Sequence, residues 1–322
     1  MTEWSVTEPR RIPLTDPVRR LQIRVVNGAV NVVGTDESSA RLEISEIEGP
    51  PLIVTQEGST LVVSYEDLHW KGILKWLDPK GHRRRVVVSV AVPAGADVEV
   101  GAIGAETVIS GVRGRTAVRG VTGDTTLVGL AGPVRAETVS GNLEAQSVTG
   151  ALQINSVTGD VTVIDGAGSA VKAETVSGDM VIDLDPAGQD GPPADIRLTS
   201  VSGEVAIRLP HPADARVEAT TTSGAVSSAF DDLRVGGTWG TRSLTGTLGA
   251  GQGTLRATTV SGSIAVLRRP EPEPDADGPG DGTAAASPRP ERSSDMAPVF
   301  AHGRLRLYLL KLLDEAPATG TR

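Results

Sequence analysis

Between residues 104 and 267, apolar and polar residues alternate in short runs, and each run stops at a glycine. The glycines fall every nine residues, at Gly114, Gly123, Gly132, Gly141, Gly150, Gly159 and Gly168. The register returns at Gly178 after one inserted residue, then loosens through Gly203, Gly224, Gly246 and Gly262. Two positions after the glycine stand Leu143, Leu152, Val161, Met180, Val205, Val226, Leu248 and Ile264. Two positions before it stand Val121, Val139, Val148, Val157, Val176, Val201, Leu244 and Val260, which read as part of the same core set. A period of two places such residues on one face of a strand. A Ser or Thr usually precedes the glycine, as in Thr122, Ser140, Thr158, Ser177 and Ser202, and can hydrogen-bond the backbone of a turn.

Glycine supplies the positive φ that a tight turn requires, so Gly123, Gly141, Gly150, Gly159, Gly178, Gly203, Gly224, Gly246 and Gly262 read as structural turns. One unit is then a strand of about five residues plus a corner of about four. Two units make a coil of about 18 residues, and stacked coils give an all-β, single-stranded β-solenoid over 104–267. A single coil cannot bury its own apolar face, so the ends need caps.

Residues 18–103 also alternate or run apolar, at Leu21 to Val26, Ala29 to Val33, Leu42 to Ile44, Leu61 to Ser64 and Val86 to Val92, but outside the nine-residue register. Asn27-Gly28 between two such runs is a hairpin signal. This region reads as the β-rich N-terminal cap of the solenoid, preceded by a disordered or extended segment, 1–17. The stretch 68–85 interrupts it. It holds Trp70, Lys71, Lys75, Trp76, Arg83, Arg84 and Arg85, with Lys80 between. It reads either as a cover for an open end of the solenoid or as an interaction site. Trp and Lys on a short apolar segment suit a protein partner or peripheral contact with a membrane.

After Leu267 the composition shifts. Residues 268–297 are rich in Pro, Asp, Glu, Gly and Ala and read as a disordered linker. In 298–316, Leu305, Leu309, Leu312 and Leu313 share a helical face with Tyr308, and 317–322 reads as a disordered tail.

Composition limits the function classes. Glycine is 38 of 322 residues and aromatics are 2%, so the core must be built from small and β-branched side chains. With no cysteine there is no disulfide framework and no thiolate metal or redox site. The net charge of −9 disfavours a general nucleic-acid binder. The start shows no apolar h-region and no run of 18 apolar residues occurs, so a cytoplasmic location is expected.

Candidate chemistry is sparse. The histidines are His69, His82, His211 and His302, widely spaced, and no phosphate-binding Gly-rich loop is present. Asp124, Asp160, Asp179 and Glu204 follow turn glycines, with Asn142 in register. One carboxylate per turn suits a turn role better than calcium. Glu106, Glu137 and Glu174 with Arg113, Arg115, Arg119, Arg135 and Lys172 are the charges a polysaccharide-cleaving β-helix would use. Yet Glu-Thr-Val-Ser recurs at Glu137 and Glu174 as part of the repeat, so a structural ladder explains it more simply. No catalytic, cofactor-binding or metal residue is assigned.

The run from Leu21 to Val266 resembles the toast-rack family of bacterial adhesin-like domains of unknown function. The resemblance is carried by Val-Ala-Val-Pro-Ala-Gly-Ala (Val90 to Ala96) and by the Glu-Thr-Val-Ser-Gly-Asn, Ser-Val-Thr-Gly-Asp-Val, Glu-Thr-Val-Ser-Gly-Asp-Met and Ser-Val-Ser-Gly-Glu-Val turns. It implies an all-β solenoid without catalytic residues, acting as a scaffold or adhesin-like module for an unknown protein or envelope component, in envelope-stress sensing or regulation. The tail from Met296 to Pro317 resembles the first helix of a PadR-type winged-helix regulator. Such a resemblance implies either a remnant of a fused regulator or a docking helix. No nucleic-acid binding is expected, because the recognition helix is missing.

Overall fold

The computed structural model describes residues 1–14, 16–66, 84–167, 170–184, 193–210, 212–238 and 240–269, and these are β-strands and turns without a helix. Two long strands set the cross-section: β3 (Arg20–Thr35) and β8 (Asp97–Ser110). They pair in parallel along nearly their whole length, from Arg20 opposite Asp97 to Val33 opposite Ser110, so each is a complete coil. The Asn27-Gly28 hairpin is therefore corrected. β3 runs through that point and bends at a corner of the coil, where Gly28 takes φ +117°. A corner and a hairpin both need a left-handed residue, so the dipeptide alone cannot tell them apart.

The outer edge of β3 is closed by two strands that pair with it in parallel, and each of these carries antiparallel neighbours. Arg20–Arg24 pair with β6 (Thr60–Tyr65) and Asn27–Thr35 with β7 (Arg85–Pro93). β5 (Leu52–Glu57) lies on β6 and β4 (Arg41–Glu48) on β7. The first residues are strand as well: β1 (Thr2–Val6) completes one layer on β5, and β2 (Arg10–Pro13) the other on β4. Within 1–17, read as disordered or extended, Thr2–Val6 and Arg10–Pro13 are extended edge strands, and their buried Val6 and Ile12 cover the cap core.

From β8 the chain climbs in two parallel ladders. The first contains β9 (Thr116–Gly120), β11 (Val134–Ser140), β13 (Leu152–Thr158), β15 (Ala170–Ser177) and β17 (Asp195–Ser202). The second contains β10 (Thr125–Val128), β12 (Leu143–Gln146), β14 (Val161–Gly166), β16 (Met180–Leu184) and β18 (Val205–Leu209). The core between them is a stack such as Leu127, Ala145, Val163, Ile182 and Ile207 facing Val118, Ala136, Ile154, Ala173 and Leu198, all buried. Alanines among larger aliphatics let the two sheets approach without aromatics.

The last coils are stacked out of chain order. β23 (Gly253–Ser261) and β24 (Ile264–Arg268) lie directly on β17 and β18. β19 (Ala215–Ser223) and β20 (Val226–Ser228) lie outside them, although they come earlier in the chain. β22 (Thr241–Leu248) then pairs antiparallel with β19, and β21 (Leu233–Thr238) with β22, forming a hairpin over the far end. Gly246 is thus not a turn: it lies inside β22, opposite Val217.

The nine-residue glycine register resolves into two columns with an 18-residue period. In one, Gly141, Gly159, Gly178, Gly203 and Gly262 hold φ between +120° and +150°. A Cβ on any of them would come within 1.9–2.3 Å of the carbonyl oxygen of the glycine in the coil below. In the other, Gly114, Gly132 and Gly150 need the same closeness, 2.0–2.2 Å, without a left-handed backbone. The left-handed residues of that second corner are Gly111, Gly129, Ser147 and Asp165, again 18 apart. Gly150 is a close-approach residue rather than a positive-φ turn, and so is Gly224.

Candidate functional site

In the first ladder, Val134, Ala136 and Thr138 point inward, and the same phase holds for Leu152, Ile154 and Ser156. Period two then puts the next residue outside. Val139, Val157, Val176, Val201 and Val260 stand on successive coils and are 44–51% exposed. This corrects their assignment to the core; Val148 and Leu244, from the same set, are buried. Behind each exposed valine sits a buried hydroxyl: Thr138, Ser156, Thr175, Ser200 and Thr259, at 1–7% exposure. The hydroxyl oxygens of Thr138, Thr175, Ser200 and Thr259 have no hydrogen-bond partner among the described residues. The corner inverts the usual order, with the apolar side chain in water and the polar one in the core. A run of exposed valines with 4.8 Å spacing is an apolar ridge about 20 Å long.

At its β8 end the ridge becomes one wall of a groove of about 570 Å³. Val121, Val139 and Val157 form that wall, and Gly101, Ala102 and Gly120 leave the space because they carry little or no side chain. Arg119, Glu137 and Asn155 line the other side. The Glu137 carboxylate accepts from Arg119 Nε at 3.1 Å and from Arg135 Nε at 2.8 Å. Burial raises its pKa, but the hydrogen bonds and charges of Arg135 and Arg119 together outweigh it and hold the carboxyl below its ordinary value. Arg119 also meets Glu99 Oε1 at 3.3 Å, and Gln22 donates to Glu99 Oε2 at 3.2 Å.

The rest of this face is charged but internally matched. Lys172 pairs with Glu174 at 2.8 Å, Arg197 with Asp195 at 3.1 Å and Arg256 with Glu218 at 3.4 Å. Thr254 Oγ1 donates to Asp195 at 2.6 Å, and this bond is the main reason that carboxyl is also held low. A shallower depression of about 470 Å³ lies among Arg115, Arg135, Lys172 and Arg197. Glu137 and Glu174 thus stand in the repeating ion-pair ladder, and Glu106 is exposed near the β3 corner.

The acidic residues after the turn glycines form a second ladder. Asp124 Oδ1 accepts from the Asn142 N–H, Asn142 Oδ1 from Asp160, Asp160 Oδ1 from Asp179 and Asp179 Oδ1 from Glu204, at 2.8–3.1 Å. Each side chain fastens its coil to the next, which gives the turn role a specific form. Among the described residues, no three His, Asp or Glu side chains gather as a metal site.

Of the interaction residues read in 68–85, Trp70, Lys71, Lys75, Trp76 and Arg83 lie outside the described residues, as do all four histidines, the tail and the linker from 270 on; Arg268, read as linker, is the last residue of β24. Arg84 and Arg85 are engaged within the cap. The Arg84 guanidinium lies 5.3 Å over the Tyr65 ring, and Arg85 Nε donates to Glu46 at 2.8 Å. Sequence reasoning missed the ridge because it counted phase from the glycine. Counting from Val134 and Ala136 places Thr138 inside and Val139 outside.

No curated protein matches the chain. A solved "putative cell adhesion protein" from Clostridium sporogenes ATCC 15579 aligns with 81% of this chain and 100% of its own, at 14% identity and a TM-score of 0.28. Among the described residues, no helix is long and apolar enough to cross a membrane. The family described as Toastrack DUF4097 matches residues 18–267, from β3 into β24 and without the edge strands β1 and β2, and the chain belongs to that family.

Proposed function

We propose that the chain is a non-enzymatic β-solenoid binding module that holds a protein or envelope component on the outward face of its first ladder. The observation that carries this reading is the valine ridge. Five valines on consecutive coils stay 44–51% exposed while hydroxyls are buried behind them. Contiguous exposed apolar surface on this scale marks interaction sites in soluble domains. The ion-paired carboxylates support a scaffold rather than a glycan hydrolase, because Glu137 and Glu174 are each neutralised by a basic neighbour.

The test compares the wild type with the double variant Val157→Asp/Val201→Asp as immobilised bait for cell extract and envelope fractions. A specific partner held by the wild type and released by the variant, with circular dichroism unchanged, is the expected outcome. Equal retention by both removes the ridge as the contact surface. Turnover of a glycan by the purified chain overturns the non-enzymatic reading.

A further inference from the structure

We propose that the ridge docks a second copy of this chain, antiparallel, about a two-fold axis through Val176; this inference rests on the ridge being a contact surface. Shape is the first argument. The ridge is Val139, Val157, Val176, Val201 and Val260 in stacking order, so Val176 is its middle. The groove lies at one end, where Gly101, Ala102 and Gly120 leave room beside Val139 and Val157. The other end carries Val201 and Val260, 46% and 51% exposed. Rotation about Val176 sets Val201 of the partner subunit against Val157 and Val260 of the partner subunit against Val139. Each copy then sets its Val201 and Val260 against the grooved end of the other, and the two contacts are identical, which is what an isologous two-fold contact requires.

Spacing is the second argument. A row of β-branched side chains repeating at about 4.8 Å stays in step, residue against residue, with a row of the same repeat. An extended peptide lying along the ridge repeats on one face at about 6.8 Å and falls out of step within two coils. A second copy of the solenoid has the required repeat.

Charge is the third. The chain carries a net charge of −9, so two copies repel in general. This face is where they can approach, since its carboxylates at Glu99, Glu137, Glu174, Asp195 and Glu218 are each paired with Arg or Lys. Seven coils at about 4.8 Å, and a face about 20 Å wide, give roughly 700 Å² per copy. That is close to the ~800 Å² per partner of a standard stable interface.

Cysteine scanning tests the arrangement directly, because the full chain has no cysteine of its own. Under mild oxidation, Val176→Cys is expected to cross-link to itself. Val139→Cys and Val260→Cys are expected to cross-link when mixed and to remain uncoupled alone. Thr162→Cys, on the opposite ladder, is the control and stays monomeric on a non-reducing gel. Sedimentation velocity of the wild type is expected to show a dimer that Val176→Asp weakens at least tenfold, with thermal unfolding of the diluted monomer unchanged. A wild type that sediments as a monomer up to about 100 µM overturns the proposal. So does cross-linking of Val139→Cys to itself in preference to Val260→Cys. Either result leaves the ridge as a site for another partner, and that reading falls separately if the Asp double variant retains every partner the wild type holds.

Discussion

Replacing Gly178 by alanine probes the feature on which the coil stack depends. Gly178 sits at φ +137°, and its missing Cβ would lie 2.2 Å from the carbonyl oxygen of Gly159 in the coil below. An alanine forced into that backbone region carries roughly 1–3 kcal/mol of strain. The overlap adds to it, because contact at an ordinary separation requires the two coils to part by about 1 Å, beyond what a hydrogen bond tolerates. The bonds nearest the overlap are Gly159 N–H to Ser177 O and Gly178 N–H to Ser202 O, both 3.2 Å. At about 1 kcal/mol each, their loss brings the total to roughly 3–5 kcal/mol, a large share of the ~5–15 kcal/mol that holds a typical domain together. Gly58 is the matched control: it has φ +55° and nothing within 4 Å of a built Cβ. Gly58→Ala should lose only about 1–2 kcal/mol, the left-handed penalty alone. Urea unfolding followed by circular dichroism compares the two, with the denaturant slope reporting whether the transition stays cooperative. If Gly178→Ala loses no more than Gly58→Ala, close stacking of the glycine column is not what fixes the coil spacing. Ala105 already shows that the column admits a side chain where the backbone permits it. It lies opposite Gly28, inside the continuous strand β8, and φ there is not positive.

Three further outcomes follow from the buried polar groups. Thr175→Val should raise stability by about 1–2 kcal/mol, because it removes a buried hydroxyl without a partner and keeps the side-chain shape; a loss of stability in urea unfolding would show that the hydroxyl is bonded in solution. Glu137→Gln should flatten the acid limb of the stability profile. The folded pKa lies below the unfolded one, so the wild-type contribution is present above the ordinary glutamate range and is lost as pH falls through the lowered value; an unchanged limb in unfolding series from pH 6 to 3 would refute it. Asp183, 1% exposed, accepts from Arg208 Nε at 2.8 Å, so Asp183→Asn should cost about 3–5 kcal/mol, and the double variant with Arg208→Met should cost less than the two singles added. Additive losses in that cycle would mean the pair is not coupled.

What the sequence reveals depends on how local the physical requirement is. The coil repeat is readable because each glycine answers to its own backbone angle and to one neighbour's carbonyl. The order of the last coils is not readable, because nothing near Gly253–Ser261 states that β23 slips between β17 and β19. β19 and β23 carry nearly the same phrase, Val-Glu-Ala-Thr-Thr-Thr-Ser-Gly and Leu-Arg-Ala-Thr-Thr-Val-Ser-Gly, so local propensity cannot decide which of them meets β17. Long-range pairing decides it, together with the hairpin of β21 and β22 that covers β19. The edge strands β1 and β2 are equally silent in sequence, since short polar segments become strands only when a sheet edge is offered to them.

The valine ridge shows where stability and surface chemistry part company. At each of four corners a hydroxyl lies buried without a partner, at a cost of about 1–3 kcal/mol apiece, while an isopropyl group beside it stays in water. Exchanging the two residues at the Thr138, Thr175 or Thr259 corner would recover much of that cost and would keep a β-branched residue at both places, so strand propensity does not explain the order. Turn chemistry does not explain it either. The Ser or Thr that serves the turn is the next residue on, as Thr158 shows by donating to Val139 O at 3.0 Å. What the inversion does achieve is a straight, uncharged, β-branched row on the outside of a net-acidic molecule, in register over five coils. A solenoid that merely had to fold would gain nothing from such a row. A solenoid that must meet another surface with the same repeat gains a contact that is dry, periodic and free of the repulsion that the rest of its surface presents.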